Sequence, residues 1–231
     1  MAEKLVFEFI KTGNMVYISH LDVSKLFLRV LRMSGLRPAY SQGFNPHPKM
    51  SFALPLSVGI HSVCELLEFE MDAEVKDISH SIAEVNERLP EGMRVKSWYR
   101  KPESLSKSLA SLAMAAAYEF MCDDVDEAPE KLVAFFKKDS VIASKRDKKS
   151  GGEKEVDIRS LMHGYRIVKD MRGRILAEAI LSAAPSQTLN PRVFWEAFCN
   201  ACGIDSARLL PVITRTAILG AEGGPLTEKL K

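Results

Sequence analysis

Apolar and polar residues alternate along Lys4–Lys11, with Leu5, Phe7 and Phe9 on one face, and this predicts a strand. Thr12-Gly13-Asn14 breaks it. Ser19 stands three residues before Asp22, so its hydroxyl can accept a free amide while the carboxylate favours the positive helix end; a helix is predicted from His20. Val23, Leu26, Val30 and Met33 hold helical spacing, Lys25, Arg29 and Arg32 recur on the flank of that stripe, and Gly35 ends the helix. Residues 64–71 alternate again, with Leu67, Phe69 and Met71 inward and Glu68 and Glu70 outward. Ile78, Ile82, Val85 and Leu89 restore the helical period, and residues 93–99 read as strand. With residues 49–53 as a short strand, residues 4–100 spell β-α-β-β-α-β.

Residues 101–112, rich in Ser and Leu behind Pro102, suit a linker or a short helix. Beyond them the order repeats. Ala115–Cys122 predicts a strand with Tyr118, Phe120 and Cys122 on one face; Pro129 opens a helix carrying Leu132, Val133 and Phe136; residues 140–144 read as strand. Residues 175–181 alternate, Asn190-Pro191 caps a helix that Gly203 stops, and residues 209–216 close the set. The fold class that follows is α+β, a tandem duplication of two ferredoxin-like (β-α-β-β-α-β) units with antiparallel sheets. The first occupies residues 1–102, the second residues 113–220 with a basic arm at 144–174, and residues 221–231 form a flexible tail. Within the arm, residues 145–152 are basic and aperiodic and predict a mobile segment, while residues 155–159 alternate and present Asp157 and Arg159 together.

No regular element accounts for the stretch from Tyr40 to Pro55. Pro46, Pro48, Pro55 and Gly43 forbid a continuous helix or a central strand, leaving a stiff loop. Its side chains, Tyr40, Gln42, Asn45, His47 and Lys49, offer donors, acceptors, a titratable ring and a cation, interleaved with Phe44 and Phe52. The prolines hold Asn45 and His47 in extended backbone, so His47 and Lys49 share one side of a short run. This loop is the expected functional surface of the first unit.

Charge sharpens that reading. The net charge of +2 is unevenly spread: residues 19–50 hold Lys25, Arg29, Arg32, Arg37 and Lys49 against Asp22 alone, and residues 144–174 carry a second basic excess that includes Arg159. Such segregation fits a face that binds a polyanion. No apolar run reaches the length of a bilayer span and no signal peptide is evident, so a cytoplasmic protein without membrane contact is expected. The four cysteines are too scattered for a disulfide framework, and the C-x-x-C spacing of Cys199 and Cys202 fits two small apolar helix residues better than a metal site. His20, His47 and Asp22 could ligate a metal, but a histidine between prolines in a polar loop more often hydrogen-bonds, and neither metal nor cofactor is expected.

The run Ile18-Ser19-His20-Leu21-Asp22, the helix with Arg29 and Arg32, and the stretch from Tyr40 through Lys49 to Ser51-Phe52-Ala53 and Pro55 resemble an uncharacterised bacterial family of radical-SAM-linked proteins. The resemblance is strongest over the first seventy residues. It implies an accessory protein that works with a B12-binding radical SAM protein in RNA modification or ribosome-related metabolism. It supplies no catalytic residues, and no radical SAM cysteine cluster is present in the sequence. The residues themselves favour binding of RNA (tRNA or rRNA) through Lys25, Arg29, Arg32, Tyr40, Gln42, Phe44, Asn45, His47, Lys49 and Arg159, with aromatic stacking and phosphate pairing sharing the energy. Two alternatives stand beside it. One is a metal-independent ribonuclease using His20, His47 and Lys49; the other is a protein–protein adaptor for the radical SAM partner.

Overall fold

The computed structural model describes residues 3–75, 77–122, 128–146, 152–169, 175–207 and 209–231. The chain divides into two units, residues 1–113 with 217–231, and residues 114–216. The fold is mixed α+β with mostly antiparallel strand pairing. No helix among the described residues is long and apolar enough to cross a membrane.

In the first unit, strand β1 (Lys4–Lys11) leads through a 3₁₀ turn (Gly13–Tyr17) into helix α1 (His20–Met33). Strands β2 (Met50–Phe52) and β3 (His61–Glu70), helix α2 (Ile78–Arg88) and strand β4 (Met93–Arg100) follow. β1 lies between β3 and β4, antiparallel to both, and β2 pairs with the far side of β3. The start of α1 is built as its sequence implies. Ser19 Oγ accepts the Asp22 amide at 3.2 Å and donates to the Asp22 carboxylate at 2.7 Å. Its end is closed by Gly35 at φ +77°, which turns the chain so that the Leu36 amide donates to Leu31 O at 2.9 Å. Leu5, Phe7 and Phe9 of β1, with Leu67 and Phe69 of β3, are buried against Val23, Phe27, Val30 and Leu31 of α1 and Val85 of α2. The strand alternation is therefore the alternation between core and opposite face.

That opposite face is covered too. Val6 and Leu66 pack with Leu109 and Ala113, the first of them in helix α3 (Leu109–Leu112), and with Ile218, Leu226 and Leu230. Here the structure corrects two expectations. Residues 221–231 are not a frayed tail: a 3₁₀ turn (Leu226–Leu230) buries Leu226 and Leu230 in this cluster. Glu68, placed outward by its phase, is buried beneath the 101–112 segment, where it accepts from Lys101 Nζ at 2.6 Å and from the Leu109 amide at 3.0 Å.

The second unit contains β5 (Ala115–Cys122), helix α4 (Ala128–Phe136), β6 (Ile142–Arg146), β7 (Glu153–Asp157), β8 (Met162–Lys169), β9 (Ile175–Ala184), β10 (Gln187–Thr188), helix α5 (Pro191–Ala201) and β11 (Val212–Leu219), the last three residues of which belong to the first unit. β9 lies between β5 and β8, antiparallel to both, and β10 pairs with β9. The segment expected as a sheet strand at 140–144 instead pairs with β7 in a separate hairpin. The strand beside β9 is β8, inside the stretch read as a basic arm. That arm is therefore not a continuous loop, and the mobility expected of residues 145–152 falls mostly on 147–151, outside the described residues. An aromatic cluster fills the core: Phe120 stacks on Trp195 at 5.4 Å, and Phe135 meets Phe194 and Phe198 edge-on. Cys199 is buried within this unit, and burial first, then Cys202, pushes its thiol up to about 11. Both cysteines of the C-x-x-C pair are thus thiols at neutral pH, since burial raises Cys202 as well.

One contact in this unit is unfavourable. Glu119 on β5 stands directly across from Glu178 on β9, and burial, with the Glu178 charge second, raises its carboxyl pKa. Arg166 on β8 faces Glu178 from the other side and offsets part of the repulsion. A raised carboxyl pKa means that the folded chain binds this proton more tightly than the unfolded one, so stability falls as pH rises from the unfolded value through the folded one. Glu119→Gln is expected to stabilise the protein at pH 7 by up to about 1 kcal/mol. Thermal unfolding should show that gain shrinking toward about pH 4, where the native carboxyl is protonated; equal gains at both pH values would contradict the repulsion.

Candidate functional site

The loop between α1 and β2 projects as a closed structure. The Lys49 amide donates to Ala39 O at 2.8 Å, the Ser41 amide donates to His47 O at 2.8 Å, and the His47 amide donates to Ser41 Oγ at 2.9 Å. Tyr40 bridges to Pro48 between those bonds. The base of the loop is tied to the end of β3, where the Glu70 amide donates to Lys49 O and Glu70 O accepts from the Ala39 amide. Two short arms thus hold an apex of residues 42–46, and Gly43 at φ +122° makes the turn that a side chain would strain. Gln42, Phe44, Asn45 and His47 are all exposed, and Phe44 is completely in solvent at 111% of its reference area.

Charged groups surround the loop. Arg32, in the last turn of α1, donates to the Tyr40 hydroxyl, and its guanidinium carbon lies 5.4 Å from the centre of the Tyr40 ring. Lys25 is exposed and paired loosely with Asp22 at 3.7 Å. Arg29 and Arg37 are exposed and carry no side-chain hydrogen bond or ion pair among the described residues. Lys49 Nζ lies 2.6 Å from Glu70 Oε1 at the loop base. A cleft of about 820 Å³ opens between the end of α1 and the loop, lined by Arg32, Arg37, Tyr40, Ser41, Gln42 and Lys49 on the polar side, by Pro38, Ala39, Pro46 and Met71, and by Glu70 and Asp72. Of the basic helix flank, Arg32 lines this cleft opposite the loop, while Lys25 and Arg29 lie outside its lining.

Two other predicted members make contacts of their own. His20 is half-buried, its ring 4.8 Å from that of Phe52 in an edge-on contact. Burial holds its imidazole below the usual range; the Glu65 carboxylate opposes that shift and the Lys11 ammonium adds to it. His20 is thus neutral at pH 7, and among the described residues no hydrogen bond or ion pair joins it to His47. Arg159 lies in the second unit with its guanidinium committed to backbone: Nε donates to Lys138 O at 2.9 Å and Nη1 to Met162 O at 3.2 Å. Asp157 accepts the Arg159 and Val141 amides, and those bonds hold its carboxyl below the usual range. The pair expected to present itself together is spent on closing the β6–β7 hairpin.

Sequence reasoning missed Lys11 and Glu65, which are 2% and 3% exposed near His20. Lys11 Nζ donates to Ile18 O at 2.9 Å and so fixes the approach to α1. A signal was present: both residues continue the inward phase of their strands, Lys11 after Phe9 and Glu65 before Leu67. A charge at an inward strand position marks a buried polar cluster.

The model of a family described as uncharacterised proteins conserved in bacteria, DUF2344, matches residues 4–191. The chain belongs to that family. The match spans α1, the projecting loop and the cleft, so all of these are features of the DUF2344 region of the chain. Among solved structures, the chain is similar to a protein described as a candidate transcriptional repressor of the glycine cleavage system, at 10% identity over 92% of this chain and 96% of that one, with a TM-score of 0.25. It is similar to the same extent to an unknown protein from Galdieria sulphuraria, at 11% identity over 92% and 99% of the two chains, also with a TM-score of 0.25. Scores that low carry no argument about fold or function. No curated protein matches the sequence.

Proposed function

We propose that this DUF2344 protein binds single-stranded or looped RNA, tRNA or rRNA, through the projecting loop and the basic flank of α1, and that it is an accessory protein without catalysis of its own. The observation that carries the reading is Phe44, a large apolar ring left wholly in solvent at the tip of a rigidly closed loop. A ring held there has no packing role, and an exposed aromatic beside arginines is the arrangement that stacks a nucleobase while phosphates meet the cations. Arg29 and Arg37 supply cations without internal partners among the described residues, and Gln42, Asn45 and His47 supply polar contacts around the ring.

The resemblance of residues 18–55 to radical-SAM-linked proteins adds the second part of the proposal: the RNA is held for a B12-binding radical SAM partner, which would supply the chemistry. The proposal also extends to the fold. Each unit is read as ferredoxin-like, the first because β4-β1-β3-β2 is the strand order that β-α-β-β-α-β connectivity requires, and the second because β11-β5-β9-β8 repeats that order once the β6–β7 hairpin is treated as an insertion.

Changing Arg29 and Arg32 together to glutamine tests the RNA surface. Each phosphate contact on a single strand contributes about 0.7 to the slope of log affinity against log salt, so the double variant should flatten the slope by about 1.4. A salt titration with an unchanged slope would remove α1 from the binding face.

A further inference from the structure

We infer that the cleft at the loop base selects guanine, an inference that rests on the RNA-binding reading and names the base it holds. The cleft combines features that polyanion binding alone does not call for. Its lining sets Ala39 and Pro46 among polar side chains, with Pro38 and Met71 buried behind them. Its rim carries a carboxylate, Asp72, as well as arginines. The Asp72 amide donates to Arg37 O at 3.0 Å, so the two segments that carry these side chains run side by side and bring an acid and a guanidinium to one rim. Glu70, the other carboxylate, is neutralised by Lys49 at 2.6 Å, whereas the exposed Asp72 has no ion pair among the described residues.

A negative group on a surface built for phosphate weakens affinity unless it meets a donor on the ligand. Of the four RNA bases, guanine alone offers two adjacent donors, N1–H and the 2-amino group, for the two oxygens of one carboxylate. It also offers O6 and N7 as the adjacent acceptors that an arginine fork engages. Asp72 and Arg37 are matched to those two edges, with Ala39 and Pro46 as the apolar lining against which the ring can lie. Uracil and adenine present no pair of adjacent donors to the carboxylate, and cytosine presents a single amino group.

The test uses the full-length protein and labelled uridine oligomers carrying one central guanosine, adenosine, inosine or uridine, read by fluorescence anisotropy. The guanosine oligomer should bind about tenfold or more tightly than the adenosine and uridine oligomers, within the discrimination a bidentate base contact supplies. Inosine, which lacks the 2-amino group, should fall between. Asp72→Asn should erase the preference and bind the all-uridine oligomer more tightly than wild type does, since the uncompensated charge is gone, and Arg37→Gln should reduce preference and affinity together. Unlabelled GMP should displace the guanosine oligomer only at much higher concentration, because it lacks the neighbouring phosphates and stacked base. Equal binding of all four oligomers would overturn guanine selection and leave the RNA reading in place. Binding of none would overturn both, whereas displacement by GMP at concentrations equal to the oligomer would keep guanine selection and overturn the RNA reading.

Discussion

Replacing Glu68 by alanine is expected to cost about 3–5 kcal/mol of unfolding free energy, the range for removing one partner of a buried ion pair. The side chains of Lys101 and Glu68 are 2% and 10% exposed and 2.6 Å apart, and Glu68 also takes the Leu109 amide while Lys101 reaches Lys107 O at 2.7 Å. Without the carboxylate, the Lys101 ammonium loses its counter-charge and the Leu109 amide its acceptor where water has little access, and the 101–112 segment loses its tie to β3. Glu70, two residues along the same strand, forms an ion pair with a Lys49 whose side chain is 44% exposed, so Glu70→Ala should cost no more than about 1 kcal/mol. Urea unfolding of the two variants measures the difference. Near-equal costs would show that Glu68 is not isolated from water. Changing Glu68 to leucine and Lys101 to methionine together should recover only part of the loss, since an apolar pair of similar volume removes the unpaired charge but leaves the Leu109 amide without its acceptor.

The second large effect lies at the loop tip. Phe44→Ala should weaken RNA binding by about 1–3 kcal/mol, the contribution of one base stacked on an aromatic ring. The same change should leave stability within about 0.5 kcal/mol of wild type, because a side chain that is fully exposed loses no packing when truncated. The combination separates a binding ring from a structural one. A fall in melting temperature without loss of affinity would mean that the ring packs somewhere in solution, and that its exposure is not held for a ligand.

Elements with strict periodicity were legible in the sequence, since burial follows phase: Leu5, Phe7 and Phe9 alternate because they alternate between core and opposite face, and the cap of α1 was readable from Ser19 and Asp22. Legibility failed where a third layer covers the second face of a sheet. Glu68 has the phase of an exposed residue, and the return of residues 101–112 buries it. It failed again at β8, where His163, Gly164, Tyr165 and Arg166 show no apolar alternation. Tyr165 earns its place by stacking on Phe136 at 4.1 Å, a contact between residues twenty-nine apart that no local window contains. The loop itself was found from composition, since prolines and a glycine exclude regular structure. What composition could not give was the bond pattern that closes it, or the pairing of residue 37 with residue 72 that sets Asp72 beside the arginines. Arg159 shows what a basic stretch conceals: its Nε and Nη1 bond Lys138 O and Met162 O, which no count of charges gives.

The central claim, that this protein holds RNA without cutting it, is tested most directly by incubating wild type with end-labelled cellular RNA at low salt and reading retention and chain length from the same samples. The account predicts retention that weakens steeply as salt rises, with the RNA intact and with the same outcome when EDTA is present. Absence of retention at protein concentrations of about 10⁻⁴ M, where even non-specific binders saturate, would contradict it. So would site-specific cleavage that disappears in His47→Ala.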